Sequence, residues 1–159
     1  MSAIQTATTT KEVAERFNEL AQQEKWFEIQ EEFFADTIRS IDPPNSPYLG
    51  YAEGRSSVRK KGEDFVKRIE AVHSAYTSEP IVAGNHFAVG REIDITVQGL
   101  GRIQINQIMM YEVKDGELLF SRKLVQRSTT VPVEQYNSVR SFFEKIRAAE
   151  QSPVVLVRK

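Results

Sequence analysis

Two side chains in this sequence have both the type and the setting for chemistry, Asp42 and Gln107. Asp42 closes the short run Thr37-Ile-Arg-Ser-Ile-Asp42, on the face it shares with Ile38 and Ser40, and Pro43 follows it at once. If that face looks into an apolar cavity, desolvation disfavours the charged carboxylate and lifts its pKa above the ordinary value of about 3.9. A carboxylate raised in this way is a stronger base, suited to taking a proton next to a carbonyl or to an aldol-type ring closure. The same Asp-Pro pair is equally an ordinary turn, in which the carboxylate bonds its own backbone. Gln107 interrupts an otherwise apolar strand face. A buried amide without a partner costs about 1–3 kcal/mol, so it requires one from protein, water or ligand. Its N–H could also stabilise an oxyanion. Arg122, on the parity of Leu118, Phe120 and Leu124, faces either a ligand or a salt bridge at a rim. His73 and His86 lie far apart with no carboxylate at ligand spacing, so no metal site is expected.

The elements that must position these groups follow from periodicity. Asp115-Gly116 sits between two β-rich runs and predicts a hairpin, because such turns need φ > 0. Before it, Ile103, Ile105, Gln107, Met109, Tyr111 and Val113 share one face. Thr9 and Glu12 have capping-box spacing, and Val13, Phe17 and Leu20 continue as the stripe of a first helix to about residue 23. A second helix, about 25–34, carries Trp26, Phe27, Phe33 and Phe34, either as a buried wedge or as the wall of an apolar ligand site. Residues 43–54 hold three prolines, Tyr48 and Tyr51, and read as a functional loop. A third helix is expected over 55–72, with Val58, Gly62, Phe65, Ile69 and Val72 inward and Gly62 close to another backbone. Strands are expected at 74–83, with a bulge or a sheet edge at Pro80, and at 86–98. A last helix from about 132 to 150 and an edge strand from Pro153 complete the chain. Helices followed by strands mean one α+β domain with helices on one face of a curved antiparallel sheet.

Composition narrows the function. The chain has 159 residues, 40% of them hydrophobic, with a formal net charge of −1, enough for one well-packed domain and without the charge to attract nucleic acid or an anionic membrane. The basic run Arg59-Lys60-Lys61 is followed by Glu63-Asp64 and reads as a solvated helix face. With no cysteine, disulfides and thiolate chemistry are excluded. No apolar run approaches the ~18 residues of a membrane span, and the start lacks a signal-peptide pattern, so a cytoplasmic location is expected.

The order of elements, with Asp42-Pro43, Gly54-Arg55, the Glu79 to Val89 run and the Tyr111 to Leu119 hairpin, resembles the nuclear transport factor 2-like superfamily. It is most similar to the SnoaL-like branch, which includes polyketide cyclases and is related to ketosteroid isomerases. The resemblance covers residues 9–127, with 128–159 as an extension. It implies a cone-shaped sheet wrapped around the helices, an apolar cavity, no cofactor and frequent dimers. It also implies two alternatives: a cofactor-free isomerase or cyclase acting on an apolar or polycyclic small molecule, or a non-catalytic binding or interaction module. Asp42 matches the isomerases' general base. Phe17 and Met109 stand where those enzymes have an oxyanion-donating tyrosine and protonated aspartate, which leaves Gln107 or a loop tyrosine for that task. The expected cavity wall adds Trp26, Ser40, Tyr48 and Phe65, with Tyr111, Phe120 and Arg122 from the hairpin. Ile108 and Met110, apolar on the opposite face, point to a homodimer through the outer sheet.

Overall fold

The computed structural model of the chain describes residues 8–43 and 50–128, with Glu144 and Ala148 as isolated helical positions. Helix α1 (Thr10–Gln22) is capped by Thr9. The Thr9 hydroxyl accepts from the Glu12 amide at 3.2 Å, and the Glu12 carboxylate accepts from the Thr9 amide at 2.7 Å. Its stripe of Val13, Phe17 and Leu20 is buried. Helix α2 (Trp26–Phe33) runs directly into β1 (Phe34–Ile41), so the first strand begins earlier than the Thr37 start read from alternation. Ile38, Ser40 and Asp42 are all buried, as their shared parity requires.

The Pro/Gly stretch contains a two-residue strand, β2 (Ala52–Glu53), paired antiparallel with β1. Gly54, at φ 86°, donates its amide to the Ile38 carbonyl at 2.9 Å and starts α3 (Arg55–Val66) beside β1. This helix stops short of the expected Val72. Ile69 and Val72 belong instead to β3 (Ile69–Thr77), where Ile69 pairs with Val97. Both are β-branched and fit a ladder better than a helix, and the spacing that suggested a helical stripe also puts Ile69 among apolar neighbours in a strand. Val72 is 62% exposed. Gly62 lies against the Phe27 ring, not a backbone: a Cβ there would stand 3.3 Å from Phe27 Cε1.

The expected single strand over 74–83 is two, since β4 (Ile81–Ala83) is separated from β3 at Ser78-Glu79-Pro80. Strand β4 pairs with β5 (His86–Val97), which pairs in turn with β6 (Gly101–Lys114). The Asp115-Gly116 turn, with φ of 51° and 80°, leads to β7 (Glu117–Ser128). The sheet order is β2-β1-β7-β6-β5-β3, with β4 also on β5. It curls around the helices without closing, and it is mixed: β1 pairs with β7 in parallel. The antiparallel expectation fails at that junction because the two strands are joined through α3 and the whole of β3 to β6. A connection that long imposes no hairpin direction.

Tyr48 and the strand expected from Pro153 lie outside the described residues, as does the 132–150 helix apart from Glu144 and Ala148. Among the described residues no helix is long and apolar enough to cross a membrane.

The main core joins α1 to the sheet. Phe17 is fully buried, with its ring centroid 4.8 Å from that of Tyr111, 5.1 Å from Phe87 and 6.0 Å from Trp26. Phe17→Ala should therefore cost about 3–5 kcal/mol in urea unfolding, the range for deleting a buried aromatic ring. A loss below about 1 kcal/mol would mean that the site collapses around the gap or is less packed than described.

Candidate functional site

Between α2, α3 and the concave face of the sheet lies a cavity of about 590 Å³. Its wall is mainly apolar, built by Trp26 and Phe27 from α2, Phe65 from α3, and Ile103, Ile105 and Met109 from β6. Of the residues singled out in the sequence, Trp26, Ser40, Phe65, Gln107, Met109 and Tyr111 come together on it. Phe17 packs behind Trp26 and Tyr111 and does not reach the lining.

Phe120 and Arg122 turn away from the cavity. A β-bulge at Leu119 shifts the β6–β7 register: Val113 faces Leu118, but Glu112 already faces Phe120 and Tyr111 faces Ser121. Beyond the bulge, Ser121 and Lys123 look inward, while Phe120, Arg122 and Leu124 lie on the outer face. There Arg39 stands over the Phe120 ring, 5.6 Å from its centroid, and Arg122 is exposed.

Asp42 lies behind the polar part of the wall formed by Ser40, Lys61 and Lys123 but is not on it. Its side chain is fully enclosed, with Oδ2 2.5 Å from Lys61 Nζ and Oδ1 3.4 Å from Lys123 Nζ. Lys61 comes from α3, three residues after the buried Val58, so the helix turns it inward. The Lys61 ammonium uses all three N–H bonds, donating to Asp42, to Ser40 Oγ at 2.9 Å and to the Gly50 carbonyl at 2.9 Å. The expected solvated face holds for Lys60, 74% exposed, and fails for Lys61, 12% exposed.

This geometry reverses the expected titration of Asp42. Burial does push its pKa up, and it is the largest single influence. The charge of Lys123 and the hydrogen bond and charge of Lys61 together outweigh it and hold the carboxyl below its ordinary value. Among the described residues the carboxylate is bound to lysine; the backbone amides that follow Pro43 in the turn reading lie outside them. Burial likewise pushes Lys61 down, against the upward pull of Asp42. The Tyr111 hydroxyl, donating to Met109 Sδ at 3.7 Å, is pushed up by its complete burial and stays a neutral phenol. Gln107, 8% exposed, finds among the described residues only the same sulfur as a side-chain partner, at 3.5 Å. Thioether sulfur is a weak acceptor, so its amide remains poorly satisfied by the protein.

Elsewhere on the wall, Arg91 is held from three directions. It grips Glu24 through two bonds of 3.0 and 2.7 Å, donates to Thr77 Oγ1 at 3.0 Å, and lies over the Trp26 ring at 4.4 Å. Trp26 Nε1 also donates to Glu24 at 2.8 Å. Sequence reasoning missed Lys61, Lys123, Ser121, Glu24 and Arg91. Only Lys61 carried a signal, its helical spacing from Val58. Among the described residues, no three His, Asp or Glu side chains are grouped to hold a metal ion.

The SnoaL-like domain family profile matches residues 8–124. The chain belongs to the SnoaL-like family. Three solved structures place this SnoaL-like domain further. A candidate SnoaL-like polyketide cyclase from Mesorhizobium loti is 28% identical over 73% of this chain and 98% of its own, with a TM-score of 0.69. An NTF2-like protein from Burkholderia thailandensis is 9% identical over 74% and 91%, at 0.64. A candidate isomerase from Rhodopseudomonas palustris is 13% identical over 76% and 92%, at 0.55. The last two establish the NTF2-like cone as the shared fold. No curated protein matches this SnoaL-like domain.

The lowered pKa of Asp42 has a signed consequence. Its contribution to stability is present above the ordinary carboxylate range and is lost as the pH falls through the folded-state value. The urea midpoint should therefore drop on acidification below about pH 4. Asp42→Asn should lack this component, and at neutral pH it should be about 3–5 kcal/mol less stable, because two lysines lose their buried partner. Equal stability of variant and parent across that range would show that the ion pair is not a structural support.

Proposed function

We propose that this SnoaL-like domain binds a largely apolar or polycyclic small molecule in the cone cavity and acts on it by cyclase- or isomerase-type acid–base chemistry. The observation that carries the reading is the cavity's asymmetry: an apolar wall of about 590 Å³ with its under-satisfied polar groups, Gln107 and Lys123, on the sheet side. A hydrophobic body would lie against the apolar wall and leave a carbonyl among Ser40, Gln107 and Lys123. The Gln107 amide and the Lys123 ammonium would then offset negative charge developing on that oxygen as an enolate forms, with the α-proton passing to solvent water admitted to the cavity. Asp42 serves in this reading as the counter-ion that sets the lysines in place, not as the proton acceptor. The names of the Mesorhizobium loti and Rhodopseudomonas palustris structures, a cyclase and an isomerase, support the reaction class.

One observation favours a non-catalytic binding module instead. The single carboxylate at the polar end is sealed behind Lys61 and Lys123, which removes the obvious base. Exchange of the α-protons of α-tetralone in heavy water, followed by proton NMR, separates the two. Catalysis predicts exchange faster than in buffer, reduced about 10²–10³-fold in Gln107→Leu by loss of one oxyanion donor. Protein-induced shifts of the ketone signals without faster exchange would favour the binding module, and no shifts at all would count against both.

We also propose a homodimer through the outer sheet face. Its support is the exposure of Met110 (39%) and Leu124 (50%) on either side of Ile108 on that face. Light scattering at tens of micromolar should give twice the chain mass for the parent and the single mass for Met110→Glu. A monomeric parent would dismiss the idea.

A further inference from the structure

Among the described residues, the charges on the cavity wall do not cancel. Arg91 is neutralised by Glu24 through two hydrogen bonds and is further held by Thr77 and the Trp26 ring. Lys61 is neutralised by Asp42 and has every N–H bond accepted. Lys123 shares that same single carboxylate, at a longer 3.4 Å, and the Asp42 oxygen it faces accepts no hydrogen bond. Three cations and two anions therefore meet in or behind this wall, and no further carboxylate lines it among the described residues. Lys123 is only 23% exposed, so water compensates its charge poorly.

We infer that the cavity is built for an apolar molecule that already carries one negative charge, with Lys123 as the residue that receives its anionic oxygen. This rests on the small-molecule reading above and adds the charge of the ligand. An ammonium donating to an anionic oxygen forms a charge-assisted bond about twice as strong as a neutral one. In a mostly apolar enclosure that bond is screened less than it would be in water. A neutral ligand of the same shape offers the lysine only a carbonyl, a weaker acceptor, and leaves its charge uncompensated. Gln107, whose amide finds only a sulfur as side-chain partner among the described residues, is on the same strand pair as Lys123 and can donate to the same group or to a neighbouring carbonyl. Lys61 cannot, because it has no N–H bond left to give.

The test compares anthracene carboxylate with anthracene carboxamide, two fluorescent probes of nearly equal shape that differ in charge, titrated against the full chain. The parent should bind the carboxylate tighter by about tenfold or more. Lys123→Met should lose that preference, its affinity falling far more for the carboxylate than for the carboxamide, and Lys123→Arg should keep most of it. The carboxamide titration doubles as the check that Lys123→Met is folded. Equal affinity of the parent for both probes would overturn the inference whatever the variants do, and leave the cavity reading standing. A preference that persists in Lys123→Met would also overturn it, by placing the anion elsewhere. Failure of both probes to bind would count against the cavity reading itself.

Discussion

The contact between Lys61 and Asp42 is the one on which the polar end of the cavity depends. One ammonium gathers three segments: the end of β1 through Ser40 and Asp42, the returning loop through the Gly50 carbonyl, and α3, which carries the lysine. Taking a carboxylate and an ammonium out of water costs several kcal/mol for each ion, and attraction offsets this only when the remaining donors and acceptors are also met. On the lysine side they are all met. On the carboxylate side, Oδ1 is left to Lys123, which ties β7 to β1 where Ile41 stands beside Arg122 in the parallel register. Helix, loop and both strands are thus coupled through one buried charge. Lys123 is oriented by a structural ion pair that needs no ligand to form.

That Lys123 faces inward at all is owed to one bulged residue. Alternation counted from Glu117 gives Leu118, Phe120, Arg122 and Leu124 a common face, yet only Leu118 turns to the core. Leu118-Leu119-Phe120 is apolar on both parities, so the hydrophobic pattern cannot choose between the faces, and no glycine marks the bulge. Strand β6 is the opposite case. Ile103, Ile105, Met109, Tyr111 and Val113 alternate with more polar neighbours, and the face read from them, Gln107 included, is the buried one. The candidate wall was therefore legible on β6 and misread on β7, for one reason applied to two strands of different contrast.

Helix α3 shows a second limit. In Arg59-Lys60-Lys61 each residue has a different fate. Arg59 covers the Phe27 ring at 4.3 Å and bridges Glu31 and Glu63, Lys60 points to water, and Lys61 enters the core. The helical period distinguishes them, since 58, 61 and 65 fall on one side, but composition alone treats them as one basic run. For Asp42 the difficulty is of another kind. Its burial was readable from its parity with Ile38 and Ser40, whereas the direction of its pKa was not. Burial raises that pKa and nearby cations lower it, and both cations come from elements distant in sequence. The family and its cone follow from the order of elements, which local misreadings such as the end of α3 leave unchanged.

The two charged clusters on the wall have unequal consequences for selectivity. At Arg91 the protein completes its own interactions, so that corner is a rigid frame whose shape hardly depends on what is bound. At Lys123 and Gln107 the protein stops short. An apolar wall discriminates weakly: a methylene more or less in a hydrophobic pocket changes binding by only about 1–3 kcal/mol. A polar group that only the right ligand can satisfy discriminates far more, because the wrong ligand leaves it desolvated and unmatched. In the proposed reading, ligand choice would accordingly rest on two side chains from the β6–β7 pair, while the cone supplies volume. Exchanging residues at those two positions would redirect the cavity without disturbing α1, its aromatic core or the sheet, which is how one fold can carry unrelated activities.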